Sequence, residues 1–161
     1  MTYGVSASIV CCHNIQVVIP DTTVNEASRA KQHTATSQRQ FLTGHVRFIT
    51  HLGKQILLLD LSNCSAAEVQ QIFRAVPEFV TTNPRGSVLI LSDFRGASID
   101  QEAIRVMKET AVFDKLYVKK SAWTGAESLP PGVSADLRNF SRREFPVFDT
   151  REEALAWLVK D

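Results

Sequence analysis

The chain has 161 residues, of which 44% are hydrophobic and 22% charged, with a formal net charge of +1. That length suits one domain, and nine Phe supply a substantial core. The balanced charge gives no electrostatic case for nucleic acid or an anionic membrane surface as the main partner, since either favours a basic excess on one face, and the short pairs Lys119-Lys120 and Arg142-Arg143 are read as solvated surface.

At the amino end, Met1 to Pro20 lacks a basic n-region, and its apolar stretch is broken by His13, Asn14 and Gln16, so no signal peptide is expected. Ile9-Val10 and Ile15 to Ile19 each suit a short strand. No apolar run approaches the about 20 residues that span a bilayer. Three cysteines, Cys11, Cys12 and Cys64, two of them adjacent, do not make a disulfide framework, which predicts a reducing compartment and a cytoplasmic location. Between Pro20 and Gln40 there is no Ile, Leu, Met, Phe, Tyr or Trp. Such a stretch buries too little apolar surface to offset its ordering entropy, which predicts a flexible or loosely docked segment. Residues 1–42 therefore read as an N-terminal extension and residues 43–161 as the domain.

From Thr43 the patterns become regular. His45 to Ile49 alternates and Gln55 to Leu61 is almost continuously apolar, with Gly53 between them for a turn at positive φ; this predicts a hairpin whose second strand is buried on both faces. Val69, Ile72, Phe73 and Val76 form one helical stripe, which Pro77 is expected to kink or end. Asn83 to Gly86 is a turn and Ser87 to Leu91 a short buried strand. Ser98 and Gln101 suit a capping box for a second helix, whose inner stripe is Ala103, Val106, Met107 and Thr110. Ser121 to Trp123 suits a strand, Val133, Leu137 and Phe140 a short helix, and Phe145 to Phe148 a last strand at the edge, where Pro146 is tolerated. Asp149 is the expected N-cap of a terminal helix through Leu158. The order β-β-α-β-α-β-α-β-α predicts an α/β fold with a mostly parallel five-stranded sheet.

Three segments carry a resemblance: His51 to Ser62 at the hairpin, Tyr117 to Ala122 entering the fourth strand, and Phe148 to Leu158 at the end. In these the chain resembles the STAS-like (SpoIIAA-like) family, small bacterial proteins related in fold to anti-sigma-factor antagonists and to CRAL-TRIO lipid-binding domains. The resemblance implies a STAS-like fold, a regulatory or protein-interaction role and, by the CRAL-TRIO kinship, a second reading as a carrier of a lipid-like or other apolar small molecule. In phosphorylatable antagonists the third strand leads into an Asp-Ser-Ser-Gly-Leu type sequence with a phosphoacceptor serine. Here the junction is Leu91 to Asp100; Ser98 falls near the phosphoacceptor position, but the Ser-Gly-Leu that should adjoin it is missing.

Open parallel sheets place ligands beyond the carboxyl ends of their strands. That rim is expected to carry Asp60, Ser62, Asn63, Cys64 and Ser65, then Ser92, Asp93, Phe94, Arg95 and Ser98, then Thr124 and Gly125. Asp60, Ser62, Ser65, Asp93, Phe94, Arg95 and Ser98 are the candidate partner or ligand edge; the ordinary alternative is that these Asp and Ser residues satisfy turn and cap amides. Ser98 is the candidate phosphoacceptor, weighed against a plain cap. Cys64, ahead of a helix, suggests a thiol-dependent enzyme as a third function, although no spacing ties His13, His33, His45 or His51 to it and a small buried thiol is the preferred reading. Cys11-Cys12-His13 lacks metal-ligand spacing, and no phosphate-binding glycine motif occurs, so neither metal nor cofactor is expected. Phe94, Met107, Phe113, Trp123, Phe140 and Trp157 are the residues that would line an apolar cavity, with core packing as the alternative. The leading expectation is a non-catalytic interaction module.

Overall fold

Val46–His51 (β1) and Lys54–Asp60 (β2) form an antiparallel hairpin in which His51 faces Lys54 and Val46 faces Leu59. Gly53 turns the chain at positive φ, as expected, and Leu52 shares that conformation. The computed structural model describes residues 25–161, with side chains from Ala35 onward; the strands expected at Ile9-Val10 and Ile15 to Ile19, and Cys11, Cys12 and His13, lie outside the described residues. Residues 35–161 are one compact unit.

Beside β2 lie Val88–Asp93 (β3), Val118–Thr124 (β4) and Val147–Phe148 (β5), all parallel to it, in the spatial order β1-β2-β3-β4-β5. Each strand from β2 to β5 thus adds to the same edge. Right-handed crossovers then put every connecting helix on one face: Ala66–Val80 (α2), Gln101–Phe113 (α3) and Val133–Ser141 (α4), which pack against one another in that sequence. Arg151–Val159 (α5) follows the last strand and covers the opposite face, lying on β3 and β4.

The two periods of the sequence meet in this sandwich. Leu57, Leu59, Ile90 and Trp123 join the helices in the larger core, while Ile56, Leu58, Leu89, Leu91 and Ala122 meet Ala154 and Leu158 of α5. Strand β2 is therefore buried on both faces, as its continuous apolar run requires. Lys54 and Lys120 tie the end of α5 to the sheet, Lys54 donating to the Val159 carbonyl at 2.8 Å and Lys120 lying 4.9 Å from the Trp157 ring.

Several local expectations are corrected. Asn25–His45 is a helix (α1), where no regular element was expected: its Ala, Gln, Lys and Arg favour helix. His45 ends that helix rather than opening β1. Of the two outcomes expected at Pro77, an end is ruled out, since α2 continues to Val80. The Phe73 carbonyl, which Pro77 cannot satisfy, instead accepts from the Thr110 hydroxyl of α3 at 3.2 Å. Asp100, not Ser98, caps α3 through the Ala103 N–H at 2.6 Å. Thr150, not Asp149, caps α5 through the Glu153 N–H. Phe140, expected on the inner stripe of α4, is 58% exposed.

Candidate functional site

The carboxyl ends of β2, β3 and β4 continue into three loops joined by backbone hydrogen bonds. The Leu61 N–H donates to the Asp93 carbonyl at 2.9 Å, the Asn63 N–H to the Arg95 carbonyl at 2.8 Å and the Ser98 N–H to the Cys64 carbonyl at 2.8 Å. On the other side the Phe94 N–H donates to the Thr124 carbonyl at 2.9 Å, and the Gly96 N–H to the Ser128 hydroxyl at 2.9 Å. Glycines permit this close approach. A Cβ on Gly96 would lie 2.4 Å from Asn63 Oδ1, and one on Gly125 would lie 2.4 Å from the Arg95 backbone nitrogen. The rim is therefore one connected surface, set by the sheet below it.

Asp93 and Arg95 are its central pair. The Asp93 side chain is 2% exposed and that of Arg95 63%. Arg95 donates from Nε to Oδ1 at 2.9 Å and from Nη2 to Oδ2 at 2.6 Å, a two-pronged grip that leaves the outer guanidinium edge in solvent. Burial acts to raise the Asp93 carboxyl; the Arg95 hydrogen bonds and charge, with Arg151 further off, outweigh it and hold the carboxyl below its ordinary range. Asp60 and Glu127 add negative potential around Arg95.

Asp60 is engaged as well. Its Oδ1 accepts from the Ser62 N–H at 3.2 Å and the Ser62 hydroxyl at 2.5 Å, and Arg47 lies 4.0 Å from Oδ2. Ser65 caps α2 in a capping box with Glu68, a signal the sequence carries as Ser65-Ala66-Ala67-Glu68. Asn63, Ser65, Arg95, Gly96 and Ser98 are exposed. Ser98 lies in the loop ahead of the Asp100 cap. Phe94 does not belong to the exposed edge: it is fully buried, stacked 6.3 Å from Phe73 and edge-on to Trp123 at 5.1 Å.

Sequence spacing gave no partner for Cys64, but the hairpin brings one. His45 Nδ1 lies 3.7 Å from Cys64 Sγ and 2.6 Å from the Asp60 carbonyl. A carbonyl only accepts, so Nδ1 carries the hydrogen and is not the base that would take the thiol proton. Burial, followed by the charges of Glu68 and Asp60, pushes the Cys64 thiol up to about 11. His33 lies in α1 with its side chain outside the described residues, and His51 ends β1 at the far end of the hairpin.

The six aromatic and Met residues read as possible cavity walls do not converge. Phe94, Met107 and Trp123 are in the larger core, Trp157 packs on the other side of the sheet, and Phe113 and Phe140 are exposed. Among the described residues no group of three or more His, Cys, Asp and Glu side chains is placed to hold a metal ion, and no helix is long and apolar enough to cross a membrane.

Comparison with family models, with curated proteins and with solved structures found no match to this chain.

Proposed function

We propose that the chain is a non-catalytic, STAS-like interaction module that docks a partner protein on the rim formed by Asn63, Ser65, Arg95 and Ser98. The observation that carries this reading is Arg95, mostly exposed yet held by the buried Asp93 carboxylate. A guanidinium fixed in advance loses little rotamer freedom on binding, which is the property a recognition contact needs. The backbone bonds between the loops favour the same reading, because they give the surrounding amides and hydroxyls one fixed arrangement. A phosphate on Ser98 would bring about −1.5 to −2 charges to within two residues of the Asp100 cap, so modification there would disturb the start of α3 and reshape the rim.

The alternatives draw less support. A thiol enzyme needs Cys64 as thiolate beside a free base, and neither condition is favoured by its buried thiol and the engaged His45. An apolar carrier needs an apolar interior; the cavity within the larger core, about 30 Å³, is too small for an acyl chain without parting the helices, and the roomier hollow of about 410 Å³ is lined by Lys54, Gln55, Asn83 and Lys119 among its apolar residues.

The test is site-specific photo-crosslinking in the source cells, with the reactive group at Ser98 or, as a control, at exposed Lys115. A discrete adduct from position 98 that disappears on Arg95→Met, and is absent from position 115, is the expected result. Equal labelling from both positions, or an adduct indifferent to Arg95, overturns the proposal.

A further inference from the structure

The larger core is not completely filled. Its cavity is walled mostly by apolar side chains, among them Ile90, Met107, Trp123 and Leu137, and two charged residues interrupt that lining, Asp114 and Arg143. Asp114 opens a 3-10 turn at Asp114–Leu116, directly after α3. It is 2% exposed, and its Oδ1 has no hydrogen-bond partner in the protein. Arg143, half-buried at the cavity mouth, donates to the Ala111 carbonyl at 3.1 Å and to the Ser121 hydroxyl, with its guanidinium 5.2 Å from the Phe145 ring. Both acceptors are neutral. Asp114 and Arg143 influence each other through space, not by a direct ion pair.

Burial pushes the Asp114 carboxyl up to about 7, with Arg143 opposing the shift. The carboxyl is therefore mainly an O–H donor in mildly acidic solution, while a guanidinium keeps its proton throughout the working range. The cavity then presents a desolvated cation, a second donor and apolar walls. A half-buried guanidinium that no carboxylate touches gains from a counter-ion, and the N–H fork of arginine matches a carboxylate.

We propose that this cavity is a binding site for one small carboxylate-bearing molecule, of about acetate size, held between Arg143 and Asp114. The ligand carboxylate accepts from the guanidinium and from the Asp114 O–H, and its short alkyl end lies against the apolar wall. Water satisfies Asp114 but leaves the charge of Arg143 uncompensated, and longer acids exceed the space.

The test uses the full chain in carboxylate-free buffer, titrated with sodium acetate against sodium chloride at matched ionic strength and followed by amide and indole NMR shifts. Saturable shifts centred on Trp123, Ser121 and Asp114 are expected for acetate alone, with a Kd of about 1–10 mM. Arg143→Lys, which keeps the charge and loses the fork, weakens binding about tenfold; Asp114→Val weakens it too; Arg138→Gln, at an exposed position, leaves it unchanged. Equal affinity in Arg143→Lys and wild type, shifts equal for acetate and chloride, or a crystal grown in acetate with water alone in the cavity each overturn the proposal. Should the cavity variants fail to fold, the wild type decides: acetate must saturate these resonances and octanoate must not.

Discussion

Asp93 lies almost wholly inside the protein, and both of its carboxylate oxygens are held by Arg95, whose own side chain stands largely in solvent. Removing the arginine leaves a buried carboxylate without its main partner, whereas removing the aspartate leaves an arginine that water can solvate. Arg95→Met is therefore the more damaging change and lowers Tm at pH 7 by about 3–8 °C. The pH dependence follows from the sign of the shift. In the wild type the carboxyl is depressed, so its contribution is present above the ordinary carboxylate pKa and is lost as pH falls through the folded value. In the variant only the residue 95 N–H and the distant Arg151 still oppose burial, so the carboxyl rises, and the deficit is largest near neutrality and narrows toward pH 4. Thermal melts from pH 4 to 8 check this; a deficit constant across that range refutes the assignment.

Asp114 behaves in the opposite sense. Its carboxyl rises from an ordinary 3.8 to about 7 because of burial. The folded protein thus holds a proton that the unfolded chain releases, and the contribution of Asp114 to stability is greatest below about pH 4 and declines as pH rises through about 7. Roughly three pH units at about 1.4 kcal/mol each set an upper bound of about 4 kcal/mol. Asp114→Asn removes the titration. Its denaturant-derived stability is flatter than that of the wild type between pH 4 and 7 and exceeds it at pH 8. Parallel pH profiles for the two proteins would show that this carboxyl titrates normally.

Cys64 is 4% exposed and its thiol is raised to about 11. At pH 7 about one thiol in ten thousand is then thiolate. Iodoacetamide labelling resolved by peptide mass spectrometry should find Cys64 almost unmodified in the folded protein and fully modified in guanidinium. His45→Ala leaves that protection in place, because His45 Nδ1 donates to the Asp60 carbonyl and does not serve as a base for the thiol. Rapid labelling of Cys64 at pH 7 that depends on His45 would restore the enzymatic reading.

The parallel core was legible because Ile56 to Leu59 form an uninterrupted apolar run that only a strand covered on both sides can bury. The edge position of the last strand was legible too, but it is shorter than expected, Val147–Phe148, with Pro146 ahead of it and only its carbonyl accepting from the Trp123 N–H. Caps were harder, for a physical reason: Ser98 and Asp100 both offer an acceptor to a nearby amide, and the choice depends on the Ser98 N–H being held by the Cys64 carbonyl. Distance along the chain hides contacts in the same way. His45 and Cys64 are 19 residues apart and meet through the β1–β2 hairpin, while the Phe73 carbonyl finds Thr110 37 residues away. The rim loops were legible as a set, since strand ends in a parallel sheet share one side. For Phe94 the sequence supports two readings, exposed rim or core, because a single aromatic residue after a strand has no periodicity to mark its face.

Leu52 occupies the turn of the β1–β2 hairpin at φ 47, followed by Gly53 at φ 76. Two consecutive positive φ values define the turn whose twist matches the strands, and Asn-Gly is its preferred pair. A leucine there bears the steric cost of left-handed backbone, and at 79% exposure it recovers little by burial. Leu52→Asn keeps the turn, relieves that cost and removes an exposed apolar group, so it should raise stability by about 0.5–1.5 kcal/mol. Leu52→Val, β-branched at the same position, should lower it. Urea unfolding of the three proteins tests the order Asn above Leu above Val. If Asn destabilises instead, Leu52 has a partner that compensates its backbone strain, and its exposed side chain becomes the next surface to probe.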